Sequence, residues 1–65
     1  MTKLRLVPSG AKFKLKDRPE IYTKLPEPVQ RQGEWWVAVR TDGLYSFSRG
    51  HHDDKKVIMV SVPER

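Results

Sequence analysis

Prolines and glycines divide this chain into short segments, and within those segments apolar residues recur mostly at every second position. Five prolines and four glycines are distributed over 65 residues, so the spacing typical of an amphipathic helix is hard to find. Alternation of apolar and polar side chains is instead typical of strands that bury one face. The sequence therefore predicts an all-β fold.

The predicted strands are short and are joined by turns. One begins at Leu4 and ends before Pro8, and the others cover Ala11–Asp17, Glu20–Leu25, Trp35–Arg40, Leu44–Ser48 and Val57–Val62. The polar, proline-interrupted segment Pro26–Gly33 is interpreted as an excursion loop, and Arg49–Lys56 as a polar loop. Five or six such strands predict a single domain over residues 1–65, a small, partly open SH3-like or OB-like barrel.

The inward positions of these strands define a predicted core. Its members are Phe13, Leu15, Ile21, Leu25, Val37, Val39 and Leu44 or its neighbours Tyr45 and Phe47, with either Ile58 and Val60 or Val57 and Met59. Both faces of the last two strands contain apolar residues, so their register stays open.

Several classes of function are disfavoured by what the sequence lacks. Without cysteine the chain has no disulfide or thiolate metal site, and a reducing cytoplasm is the expected compartment. No stretch approaches the roughly 18 apolar residues of a membrane span, and Met1–Pro8 lacks the apolar region of a signal peptide. Walker, dinucleotide-binding and zinc-protease motifs are missing, as is a serine in a strained elbow. We therefore expect neither an enzyme nor a cofactor.

The positive charge is concentrated in the first part of the chain. Residues 1–25 contain seven Lys or Arg and two acidic residues, a surplus of +5, whereas the remaining forty are neutral. With an isoelectric point near 9.9, the chain favours polyanions as partners, with nucleic acid before an acidic protein surface.

Lys12, Lys14 and Lys16 alternate with Phe13 and Leu15. On a strand, this spacing places three ammonium groups on one face, about 7 Å apart, and two apolar side chains on the other. Such a row could contact successive phosphates or an acidic protein surface. Lysines on an edge strand also prevent sheets from aggregating, and this alternative stays open.

Trp35 and Trp36 are consecutive, so on a strand they point to opposite faces and one must face outward. An exposed indole near cations could stack a nucleobase, whereas a covering by the Pro26–Gly33 segment would make it part of a second small core. The candidate binding residues predicted from the sequence are Lys12, Lys14, Lys16, Lys24, Tyr22, Trp36 and Arg40.

The run His51-His52-Asp53-Asp54 contains the only cluster of metal-ligand residue types in the sequence. A structural or catalytic zinc ion needs three or four convergent ligands, and no third is evident outside the run. A solvated turn is the preferred interpretation, and no metal is predicted.

Part of the chain resembles small uncharacterised bacteriophage and prophage proteins. The resemblance spans about residues 10–48 and comprises Gly10-Ala11-Lys12-Phe13, Pro19-Glu20-Ile21-Tyr22-Thr23-Lys24, Val37-Ala38-Val39, Asp42-Gly43 and Phe47. It implies a compact β-fold and a binding role, in the host cytoplasm if the protein is phage-encoded, and it implies no activity.

These observations together predict a non-catalytic, basic binding module that contacts nucleic acid non-specifically through a cationic hairpin. The alternative is a protein-binding module, such as a phage-type modulator of a host protein.

Overall fold

The computed structural model describes residues 2–50 and 52–62, and it is an all-β structure, as the sequence predicts. Its strands are β1 (Thr2–Lys3), β2 (Lys12–Lys14), β3 (Ile21–Arg31), β4 (Glu34–Arg40), β5 (Tyr45–Ser48) and β6 (Lys56–Ser61). They form one antiparallel sheet in the order β1-β6-β2-β3-β4-β5. Within the described residues β1 and β5 do not pair, so the sheet is partly open, consistent with the predicted small barrel.

Strand β2 lies inside the sheet, between β3 and β6. Lys12 is the cross-strand partner of both Thr23 and Ser61, and Lys14 is the partner of both Ile21 and Ile58. The backbone of β2 is therefore paired on both sides. The alternative that its lysines protect an edge strand is wrong.

The segment Pro26–Gly33 does not form the predicted excursion loop, because most of it belongs to the long strand β3. The register shifts between Lys24, which faces Ala38, and Val29, which faces Trp36. Pro26 and Pro28 fall within this irregular stretch, where the ladder requires no regular N–H donors. The prolines are therefore compatible with one continuous strand, because they lie at the irregularity in its pairing. Their presence in the sequence had indicated a loop.

Beyond the bend, β3 and β4 form a hairpin that is closed by Gln32 and Gly33. Both residues have positive φ, 53° and 81°. Two consecutive positive φ angles are the signature of a type I′ turn, whose twist matches that of the flanking strands. The tight turn makes Arg31 and Glu34 cross-strand partners.

The prediction of a strand that begins at Leu4 is also wrong, since Leu4–Leu6 is a single turn of 3₁₀ helix. Its backbone is held from the loop before β6. The N–H of Leu4 donates to the Lys55 carbonyl at 2.8 Å, and that of Arg5 donates to the Asp53 carbonyl at 3.0 Å. These bonds turn Leu4 into the core, where it is 1% exposed.

The core forms on the inner side of the curved sheet. Its buried residues are Leu4, Val7, Ala11, Phe13, Tyr22, Val37, Ala38 and Val57, with Leu15, Phe47 and Met59 packed against them. In β6 the inward register is therefore that of Val57 and Met59. Of the predicted core, Ile21, Leu25 and Val39 are only half-buried. Among the alternatives Leu44, Tyr45 and Phe47, it is Phe47 that packs against the core, whereas Leu44 is 54% exposed.

Phe47 reaches the core through an unusual backbone conformation. Its φ is 64°, in the left-handed region that bulky residues seldom adopt. Its ring lies 4.9 Å from that of Tyr22 and 5.9 Å from that of Phe13, measured between centroids. These three rings form the aromatic centre of the domain.

Candidate nucleic-acid interface

Lys12 and Lys14 lie on the outer face of β2, opposite the fully buried Phe13. Lys12 is exposed and Lys14 is half-buried between Ile21 and Ile58. The predicted alternation is therefore confirmed over residues 12–14. Lys16 is exposed but lies in the turn beyond the end of β2, so it does not extend the row along the strand.

A further lysine joins this outer face from the neighbouring strand. Lys56 precedes Ile58 by two residues in β6, and Ile58 is the cross-strand partner of Lys14, so both side chains are on the same side of the sheet. We call Lys12, Lys14 and Lys56 the lysine face. Lys56 is not among the residues predicted from the sequence, because the pairing of β6 with β2 is not evident from local spacing.

The lysine face carries no compensating acidic partner. The ion pairs within residues 2–50 and 52–62 join Lys3 and Arg5 to Asp54, at 3.9 and 3.1 Å, and Arg40 to Asp42. None of them involves the lysine face or Lys16. The cross-strand partners of Lys12 and Lys14 are neutral residues. The ammonium groups are therefore available for an anion from solution.

Lys24, a predicted binding residue, points into the fold instead. Its Nζ donates hydrogen bonds to the carbonyl oxygens of Leu4 and Val7, at 3.3 and 3.1 Å. Burial lowers the pKa of its ammonium group, and the nearby Asp53 carboxylate partly offsets this effect. Lys24 therefore has a structural role in this fold, and its assignment to a binding surface stays a prediction.

Tyr22 and Arg40 are likewise engaged within the protein. Tyr22 is 8% exposed and stacks on Phe13 with ring centroids 5.6 Å apart, so its prediction as an exposed binding residue is wrong. The Arg40 guanidinium donates two hydrogen bonds to the Asp42 carboxylate, one of them from Nε to Oδ1 at 3.1 Å. The pKa of Arg40 is raised by this hydrogen bonding, and its charge is compensated where it stands.

The two tryptophans differ in exposure, as their adjacent positions predict. Trp35 is exposed at 46%, whereas Trp36 is half-buried. The Trp36 indole donates a hydrogen bond from Nε1 to the carbonyl oxygen of Arg31 at 3.3 Å. This bond attaches the ring to the β3–β4 hairpin. The segment Pro26–Gly33 is therefore the partner strand of Trp36 and not a lid over it.

Trp36 lines an open groove of about 420 Å³. We call it the aromatic groove, and its lining residues are Arg31, Gln32, Trp36, Gly43, Leu44 and Tyr45. The guanidinium carbon of Arg31 lies 5.2 Å from the centroid of the Tyr45 ring, a cation–π contact. The sequence predicts Arg31 in a loop and Tyr45 as a possible core residue, so Trp36 is the one residue of this groove among the predicted binding residues.

The predicted turn around His52 contains no convergent metal site within the part of the chain that the structure describes. The His52 ring contacts Phe47 edge to face, with centroids 5.6 Å apart. His51, the other histidine of this run, lies outside the described residues. Among those same residues there is no helix long and apolar enough to cross a membrane.

Comparison of the chain with protein-family models, with curated proteins and with solved structures finds no match. The resemblance to bacteriophage proteins accordingly stays a prediction.

Proposed function

We propose that this protein is a non-catalytic binding module that contacts nucleic acid non-specifically through the lysine face. The observation that carries the proposal is the position of Lys12 and Lys14 on an interior strand, beside Lys56 and with no acidic partner among the described residues. Because β2 is not an edge strand, protection against aggregation does not account for these lysines. Contacts between the lysine ammonium groups and the phosphates of nucleic acid would account for them.

The flanking residues support the same proposal. Ile21, Thr23 and Ile58 lie beside the lysines on the outer face and are half-buried. A face of this kind offers ammonium groups for phosphates, with uncharged side chains between them. It offers no recognition helix, so the contacts would carry little sequence information.

The test compares two double variants that remove equal charge. Lys12→Gln/Lys14→Gln removes two cations of the lysine face, whereas Arg49→Gln/Lys55→Gln removes two exposed cations outside the strands. Binding of labelled duplex DNA is measured at several salt concentrations. For the first variant the slope of log affinity against log salt should become shallower by about 1.8, since each phosphate contact contributes about 0.9.

The control variant should change that slope by much less than the first. Equal effects of the two variants would show that net charge alone drives binding and that the lysine face has no special role. Failure of the wild-type protein to bind DNA or RNA at low salt would refute the proposal.

A protein-binding module is the second candidate. It is favoured by the exposure of two large apolar side chains, Trp35 at 46% and Leu44 at 54%. Binding energy at protein interfaces concentrates on such anchors, and an interface of this kind responds weakly to salt. Retention of a protein partner from nuclease-treated lysate, together with loss of that partner in a Trp35→Ala variant, would support this candidate.

A further inference from the structure

We infer that the aromatic groove binds an unstacked base of single-stranded nucleic acid, while the Arg31 guanidinium at the groove holds an adjoining phosphate. This inference rests on the proposed function and specifies its ligand as a single strand. Two observations carry it: the composition of the groove and the anchoring of Trp36.

The groove combines the two elements that single-strand binders use. Aromatic side chains offer flat surfaces to bases, and a neighbouring cation attracts the backbone. Trp36 and Tyr45 supply the rings, and Arg31 supplies the cation. No acidic side chain lines the groove, and Arg31 forms no ion pair within the described residues, although Glu34 is its cross-strand partner.

The platform is held in place before any ligand arrives. The hydrogen bond from the Trp36 indole to the Arg31 carbonyl joins the ring to the same hairpin that carries the Arg31 guanidinium. A volume of about 420 Å³ falls within the range of roughly 300–1,000 Å³ that ligand clefts occupy. The groove is therefore large enough for a planar ring and has a fixed aromatic wall.

A base-paired duplex cannot use this arrangement fully. Its bases are stacked within the helix, and extruding one costs a few kcal/mol. Duplex DNA would therefore contact the lysine face alone. The protein should therefore bind a single strand with higher affinity than a duplex of the same length, measured at the same salt concentration.

The presence of only two tryptophans provides a direct spectroscopic test. Trp35→Phe leaves Trp36 as the only fluorophore, and Trp36→Phe leaves Trp35, which does not line the groove. A labelled oligothymidylate is titrated into each variant, with binding followed independently by anisotropy of the label. Stacking on Trp36 should quench the emission of the Trp35→Phe protein, and the Trp36→Phe protein should show little quenching.

An affinity measurement complements the fluorescence. Trp36→Leu should weaken single-strand binding about 5- to 150-fold, the expected loss of one base–aromatic stack, and should leave duplex binding nearly unchanged. Trp35→Leu is the matched control and should alter neither. Arg31→Gln, an exposed substitution, should make the single-strand salt slope shallower by about 0.7, which tests the site without risk to the fold.

The outcomes separate this inference from the proposed function. If the oligonucleotide binds but does not quench Trp36, or if Trp36→Leu and Trp35→Leu behave alike, the stacking site is refuted and the lysine face stands. If neither single-stranded nor duplex nucleic acid binds, both proposals are refuted and a protein ligand becomes the better explanation of the groove.

Discussion

The Nζ of Lys24 lies 3.1 Å from the carbonyl oxygen of Val7 and donates a hydrogen bond to it. A second hydrogen bond joins the same ammonium group to the Leu4 carbonyl. Lys24 thus fixes the segment after β1 against β3. This contact supports the burial of Leu4 and Val7, two of the core residues that sequence analysis did not identify.

Lys24→Met should therefore destabilise the fold. The substitution retains most of the aliphatic side chain but leaves two carbonyls without their charged donor, which should cost about 1–3 kcal/mol. The free energy of unfolding from urea denaturation measures this loss. Lys12→Met, at an exposed position, is the matched control and should stay within about 0.5 kcal/mol of wild type. Equal effects would contradict the structural role of Lys24.

The Arg40–Asp42 pair should make part of the stability depend on pH. Hydrogen bonds from Arg40, and from the backbone N–H of Leu44, lower the pKa of Asp42 from 3.8 to about 2. Because the folded-state pKa lies below the unfolded value, the pair stabilises the fold above about pH 4. Its contribution is lost as the pH falls from about 4 towards 2.

An NMR titration of the Asp42 carboxyl measures this pKa directly. In an Arg40→Gln variant it should move up towards 3.8, and an unchanged value would show that Arg40 is not the cause. Asp42→Asn should remove this component of the acid sensitivity.

Substitutions of Gly33 should test the type I′ turn through conformation alone. Gly33 has a φ of 81°, and a Cβ atom added there would meet no atom within 4 Å. Gly33→Ala should therefore cost about 1 kcal/mol through left-handed backbone strain and not through a clash. Gly33→Asn should cost less, because asparagine tolerates this conformation better. Thermal unfolding followed by circular dichroism distinguishes them, and an equal cost would argue against backbone strain.

Phe13→Ala should test the aromatic centre of the core. Phe13 is fully buried, and removing such a ring costs about 3–5 kcal/mol. That cost is comparable to the whole stability expected of a 65-residue domain, roughly 3–10 kcal/mol, so we expect the variant to be largely unfolded. Leu44→Ala removes an exposed side chain and should leave the circular dichroism spectrum unchanged. Unfolding by Leu44→Ala would contradict the structure and would restore the core position predicted from the sequence.

The fold class could be predicted from the sequence because alternation within short segments is a local property. The strands that contain Trp36 and Phe47 were identified within one residue of their ends for this reason. The prediction of an excursion loop was wrong because Pro26 and Pro28 are compatible both with a loop and with an irregular strand, so their presence does not distinguish the two. Only the partner strand distinguishes the two.

The candidate site could be predicted only where one strand alone defines it. Lys12 and Lys14 satisfy this condition, since their alternation with Phe13 is visible in the sequence. Lys24 satisfies the same local pattern, yet it turns inward because the carbonyls of a distant segment receive its ammonium group. Arg31 approaches Tyr45 because it belongs to the β3–β4 hairpin. The prediction of a loop over Pro26–Gly33 did not include this hairpin.

The pairing of β2 with β6 has a consequence for when the proposed binding surface comes into existence. Phe13 is paired with Met59, so β2 gains its second neighbour only when the end of the domain folds back on its beginning. Loops of this length close late and slowly compared with hairpins. The β3–β4 hairpin can form locally and bring Trp36 beside Arg31, whereas Lys56 lies beside Lys14 only after the long-range pairing of β6 with β2. Assembly of the complete lysine face is thus tied to a long-range strand pairing in the sheet, and the face should be lost together with that pairing when the domain unfolds.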